Sequence, residues 1–207
     1  PEPDRQDPVE ERLPRWRGPA LHPYQRAAVH HALARGGSII ALDVGLGKTY
    51  TGLALAEALL QEGRAKRVMT VTPRSLLGNW RNAFTELAGA RLYLTGEEAD
   101  LGDDPVAEDA QRVVEALRDG ALRTWEELEA RTGLPRPRLV EAVRRLRAKD
   151  VVRGVPPEGV MIIGETFDEG KRAWVPDDTP TVAKKLARLA SDPSIRHVVI
   201  TRDWFGR

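Results

Sequence analysis

Ser38-Ile39-Ile40-Ala41-Leu42-Asp43-Val44-Gly45-Leu46-Gly47-Lys48-Thr49 is the stretch on which the reading of this chain turns. Its apolar opening predicts a short buried strand from Ile39 to Leu42, and Gly45 and Gly47 predict a tight loop after it. Thr49 to Gln61 is dense in Ala and Leu and predicts a helix that Gly63 ends. Strand, glycine loop and a helix opened by Lys-Thr together make a phosphate cradle. The glycines let the backbone approach an anion closely, and the unpaired N–H groups of a helix start point at it. Asp43, Val44, Gly45, Leu46 and Gly47 would wrap the phosphates by their backbone. The Lys48 ammonium would reach the outer phosphates, and the Thr49 hydroxyl would ligate magnesium. A plain glycine-rich strand-to-helix turn has similar local composition, so the surroundings must carry part of the argument.

Upstream, Tyr24, Ala27, Ala28, His31 and Ala32 recur at helical spacing until Gly36-Gly37 stops them. Downstream, Arg67 to Thr72 predicts a strand broken by Pro73, Leu76 to Leu87 a helix, and Arg91 to Leu94 a further strand. Alternating strands and helices argue a parallel sheet flanked by helices, the α/β class.

Composition shifts after Leu94. Gly96 to Pro105 is acidic and turn-rich, as a linker would be. Three helical segments follow: Ala110–Arg118, Trp125–Arg131 capped by Thr124, and Arg136–Lys149, with Gly133 turning between the last two. Leu139, Val143 and Leu146 would face a core. Val151–Val155 and Val160–Ile163 read as strands of a hairpin, and Phe167 to Lys171 reads as a turn before a return strand. This order resembles a winged helix-turn-helix. Its third helix carries Arg136, Arg138, Arg144, Arg145, Arg147 and Lys149 against Glu141 alone, and a basic second helix of such a pair suits DNA docking, with Arg136, Arg138, Arg144 and Arg145 as the candidate contacts. Pairing of these arginines with Glu126, Glu127 and Glu129 in a protein-docking module is equally open. Beyond the wing, Pro180–Ala190 predicts an amphipathic helix and Ile195–Thr201 a buried strand.

Three blocks together resemble the first motor lobe of superfamily-2 DNA-dependent ATPases, the Snf2-like translocases most closely. Leu21-His22-Pro23-Tyr24-Gln25 is similar to the family's adenine-reading element, which implies Gln25 on the adenine edge and Tyr24 beside it. The loop from Gly45 to Thr49 is the second block. A strict nucleotide loop has glycine where Leu42 stands, and Ala41 fits the helicase variant, whose small residue lies one position earlier. Val71 to Trp80 is the third block, similar to motif Ia, which implies DNA backbone contacts from Thr72, Pro73, Arg74 and Ser75. Hydroxyls and N–H groups at a helix start suit a phosphate in any case, while Leu76 and Trp80 pack that helix down. His197 to Thr201 with Arg202 resembles the family's next strand, which makes the winged helix an insertion.

The family's Asp-Glu acid pair has no counterpart, because Asp168-Glu169 falls in a predicted hairpin turn. The second lobe with its arginine finger is also missing. The resemblance therefore implies the N-terminal part of a larger ATP- and magnesium-dependent DNA translocase or helicase, with little hydrolysis by this stretch alone. The expected organisation is a flexible lead-in over 1–19, a RecA-like lobe over 20–95, a linker over 96–106, the insertion over 107–177 and a return to the lobe over 178–207. The alternative is a non-enzymatic nucleic-acid-binding regulator with a nucleotide-sensing loop. A small-molecule kinase would leave Tyr24-Gln25 and the third block as coincidences.

Composition narrows the field further. The 207 residues carry 32 basic and 31 acidic side chains, net +1, so any DNA surface must be local. DNA, duplex or single-stranded, is the expected partner, with a protein partner through the winged helix as the other. Absence of cysteine excludes disulfides and Cys-bound zinc, and fits a cytoplasmic setting. No apolar run approaches the ~18 residues of a membrane span. The start at Pro1-Glu2-Pro3, without methionine, suggests a processed or excised beginning. His22, His30, His31 and His197 lack metal-ligand spacing.

Overall fold

The computed structural model describes residues 16, 18–95, 105–171, 173–177 and 182–202. The expected lead-in, apart from its last few residues, and most of the expected linker lie outside them. In chain order the elements begin with helices α1 (Pro23–Arg35) and α2 (Lys48–Gln61), strand β1 (Val68–Thr72), helix α3 (Leu77–Phe84) and strand β2 (Arg91–Leu94). Helix α4 (Pro105–Leu117), strand β3 (Arg123–Thr124), helices α5 (Trp125–Thr132) and α6 (Arg136–Ala148) and strand β4 (Val152–Val155) follow. Strands β5 (Val160–Ile162), β6 (Glu165–Asp168) and β7 (Ala173–Pro176), helix α7 (Val182–Ser191) and strand β8 (His197–Thr201) complete the series.

A parallel sheet ordered β1-β8-β5 positions the glycine loop and fits a RecA-like lobe. Strand β8 lies in its middle, so its side chains alternate between two cores. Val199 packs with Leu53 of α2 and with Leu77 and Phe84 of α3. Val198 faces the other way, onto Leu189 of α7, Met161 and Ile195. Each buried valine contributes roughly 1.5–3 kcal/mol through the apolar surface it removes from water. Helix α1 packs on α2 through Val29, Leu33, Ala54 and Ala58.

The second core belongs to α4, α5 and α6. Trp125, Leu128, Leu139, Val143 and Leu146 are fully buried there, joined by Leu92 of β2. Helix α5 begins with a reciprocal cap: Thr124 accepts from the Glu127 N–H, while Glu127 accepts from the Thr124 N–H. Gly133 ends that helix at φ 68°, a conformation that side chains resist.

Three expectations fail in instructive ways. Ile39 to Leu42 forms no strand, and Ile39 is 96% exposed. A strand needs a neighbour to pair its N–H and C=O groups, and among the described residues none lies beside this segment. Arg91–Leu94 does form a strand, but not in the parallel sheet. It pairs antiparallel with β3 and β4, sealing the α4–α6 core. The hairpin expected from Val151–Val155 and Val160–Ile163 is also absent, because β5 leaves β4 to run parallel with β8. Gly159, at φ 85°, turns the chain there and accepts N–H bonds from Arg196 and His197. Met161 and Ile162 gain a buried place on both faces of the parallel sheet by that exchange. The return strand forms as read, pairing β6 with β7 around a turn that contains Glu169.

Candidate nucleotide-binding site

The glycine loop links an irregular segment to the first turn of α2. Gly45 and Gly47 take φ values of 86° and 71°. A side chain at Gly47 is disfavoured twice over, since the left-handed backbone strains it and its Cβ would lie 2.3 Å from the Gln25 amide nitrogen, which would have to move. The N–H groups at the start of α2 follow directly, so the anion-binding end of a 14-residue helix opens at the loop.

Helix α1 holds this loop from outside. Gln25 is 4% exposed, and its amide nitrogen donates to the carbonyls of Leu46 and Gly47, each at 3.2 Å. Its amide oxygen accepts the His22 N–H at 2.8 Å. The Tyr24 hydroxyl donates to the Leu46 carbonyl at 3.3 Å, and its ring stacks on His22 at 5.4 Å between centroids. Gln25 and Tyr24 thus stand beside the loop, with the Gln25 amide engaged by backbone. Lys48, itself exposed, folds back onto the loop and donates to the carbonyls of Leu42 and Asp43, each at 2.9 Å. Asp43 and Val44 are exposed, while Thr49 is half-buried at the helix start.

A cleft of about 280 Å³ opens against this arrangement, lined by His22, Tyr24, Gln25, Gly45 to Gly47, Tyr50 and, from α6, Arg144. Chemically, the lining fits a nucleoside phosphate through loop backbone, the Arg144 guanidinium and the stacked His22 and Tyr24 rings, while Lys48 and Thr49 stand next to the cleft in sequence but outside its lining. Among the described residues, no group of three or more His, Asp or Glu side chains could hold a metal.

Sequence reasoning missed the network beneath the cleft. Glu86 is 5% exposed and receives both Arg144 (3.3 and 3.0 Å) and Arg147 (3.6 Å). Burial, and then the Glu86 charge, push the Tyr50 phenol up to about 12. Burial pulls the Arg147 guanidinium down, whereas its bonds to Glu86 raise that of Arg144. No spacing rule could find this cluster, because Tyr50, Glu86 and Arg144 come from three separate elements.

The residues expected at DNA divide. Pro73, Arg74 and Ser75 are exposed at the end of β1, but Thr72 is only 2% exposed and so is withdrawn from contact. The four arginines of α6 expected at DNA all carry acidic partners, as does the fifth, Arg147. Arg136 pairs with Glu126 and Glu129 and lies 4.6 Å over the Trp125 ring, while Arg138 makes two bonds to Asp109. Arg144 meets Glu86, and Arg145 meets Glu141. No helix of the described residues is long and apolar enough to cross a membrane.

Residues 19–114 match the family model described as Type III restriction enzyme, res subunit. Two curated proteins are similar over part of their length. One is the Arabidopsis thaliana protein CHROMATIN REMODELING 25, 34% identical over 99 residues, 41% of this chain and 11% of that protein. The other is Defense against restriction protein B of Escherichia phage P1, 40% identical over 87 residues, 40% of this chain and 4% of that protein. This chain therefore spans only a small part of the length of either relative. No solved structure shows a significant match. The res-subunit match and the chromatin-remodelling relative support a helicase-family protein. The family match takes in α1, the glycine loop and β1 but stops within α4.

Proposed function

We propose that this chain is the nucleotide-binding part of an ATP-dependent, Snf2-like DNA translocase or helicase. One observation carries the reading: a loop with two left-handed glycines, a helix start and an ammonium folded back onto it is clamped from behind by the glutamine of α1. The geometry suits a triphosphate, for which Lys48 would exchange two carbonyl partners for phosphate oxygens. When bound, ATP with magnesium supplies the phosphoryl group whose hydrolysis drives movement. The chain's own part is to hold it. Backbone from Asp43 to Gly47 cradles phosphate, Thr49 meets magnesium, and Tyr24 and Gln25 stand on the base side. Arg74 and Ser75 would meet a DNA backbone, a role their exposure after β1 supports.

DNA-stimulated ATP turnover by the protein that carries this chain tests the proposal. Lys48→Ala should abolish turnover, and equal turnover in variant and parent refutes a motor role.

The α4–α6 unit, with β3 before α5 and β4 after α6, follows winged-helix order. The arginines of α6 favour a docking module over a DNA reader, since each is matched by a carboxylate of this chain. Charge reversal at Arg145 then leaves DNA affinity and its salt dependence unaltered. A weaker affinity with a shallower salt slope instead assigns α6 to DNA.

A further inference from the structure

Arg144 occupies two environments at once. It belongs to α6, far along the chain from the glycine loop, yet its side chain lines the same 280 Å³ cleft as Gln25, Gly47 and Tyr50. We propose that Arg144 is a nucleotide-binding residue supplied by the helical unit, and that α6 senses through it whether the loop is filled. The inference rests on the nucleotide reading above and adds a residue that none of the loop, the α1 glutamine or the β1 end provides.

The pairing at Glu86 explains how Arg144 could serve without harming the fold. A carboxylate as buried as Glu86 is costly to leave without a cation. Arg147 stays 3.6 Å away, its side chain only 11% exposed, and also donates to the Thr85 hydroxyl at 2.6 Å. Arg144 is 47% exposed by contrast. When it turns toward a phosphate, Glu86 keeps its buried partner. The guanidinium is the exposed member of the cluster, always charged, with a planar fork of donors that matches phosphate oxygens. Tyr50, two residues beyond Lys48, lies against both Glu86 and Arg144, so the α2 start and α6 share one network.

Isothermal titration of the 207-residue chain with ATP and with ADP tests this directly. Lys48→Ala should lose binding, and Arg144→Gln should weaken it about tenfold, the size expected for one charge-assisted hydrogen bond. Arg144→Lys keeps a cation for Glu86 and should bind with an affinity between those of the parent and Arg144→Gln, with a melting temperature close to that of the parent. In the parent, ATP should slow amide exchange across α6, and Arg144→Gln should remove that protection. Parent-like affinity in both Arg144 variants, with Lys48→Ala inactive, overturns the role of Arg144 and leaves the loop intact. Absence of ATP-dependent protection in α6 overturns the sensing role. A parent chain that binds no nucleotide overturns both readings together.

Discussion

The glycine loop and the α5–α6 pair are both short, strongly patterned stretches, yet the fold treats them in opposite ways. Helices α5 and α6 close on their own apolar faces, with Trp125, Leu139 and Val143 fully buried and a reciprocal cap at Thr124. The loop closes on nothing apolar. It is held by side-chain amide and ammonium bonds to backbone carbonyls, and the apolar run before it is only partly covered, with Ile39 in solvent and Ile40 and Leu42 half-buried. The difference teaches that an apolar stretch acquires structure only where a partner surface waits for it. A helix satisfies its own backbone, but a strand must borrow a neighbour.

The largest expected effect falls on the helical side. Trp125→Ala empties a fully buried site and removes the indole N–H bond to the Thr85 carbonyl, at 2.8 Å. It should cost about 3–5 kcal/mol in urea unfolding. A loss below about 1 kcal/mol would mean that this core is not the stable half. On the loop side, Gly47→Ala puts a Cβ on the Gln25 amide and forces a left-handed alanine. About 1–2 kcal/mol of destabilisation is expected, together with loss of ATP binding. Unchanged ATP affinity would separate the loop from the cradle assigned to it.

A smaller effect tests how α2 is tied to the central strand. His197 and Glu57 meet at 2.6 Å, and that bond holds the Glu57 carboxyl below its ordinary value of 4.5. A depressed folded-state carboxyl adds stability above its unfolded value and loses it as pH falls further. The parent should therefore weaken as pH drops below about 4.5, and Glu57→Gln should show a flatter acid limb, differing by about 1 kcal/mol near neutrality. Identical acid limbs would remove Glu57 from the fold's acid sensitivity. The smallest effect is Ile39→Ser, expected within about 0.5 kcal/mol because the side chain is already in water. A loss of several kcal/mol would show that this segment pairs as a strand in solution.

Much of the fold was legible because it is local. Capping at Thr124, the Gly133 stop, the α2 start at Lys-Thr and the continuous apolar run of β8 each follow from neighbours within a few positions. Partner choice was not legible. Nothing in Arg91–Leu94 distinguishes a parallel from an antiparallel neighbour, and β5 reads as a wing strand until Val198 and Val199 compete for it. The arginines of α6 illustrate the same limit at the site. Their count was plain, but the carboxylates that match Arg138 and Arg144 come from α4 and the turn after α3.

By itself, the order of residues determined that helices form in these places, which faces are apolar, and that a glycine loop precedes Lys48 and Thr49, although α4 begins at Pro105, five residues before the expected Ala110. Periodicity, caps and left-handed glycines are short-range physics. Tertiary structure alone decided which strands share a sheet, that Gln25 grips the loop, and that Arg144 reaches the cleft beside it. Strand pairing and ion pairing depend on distances between segments far apart in the chain, and only the packed cores bring those segments within reach.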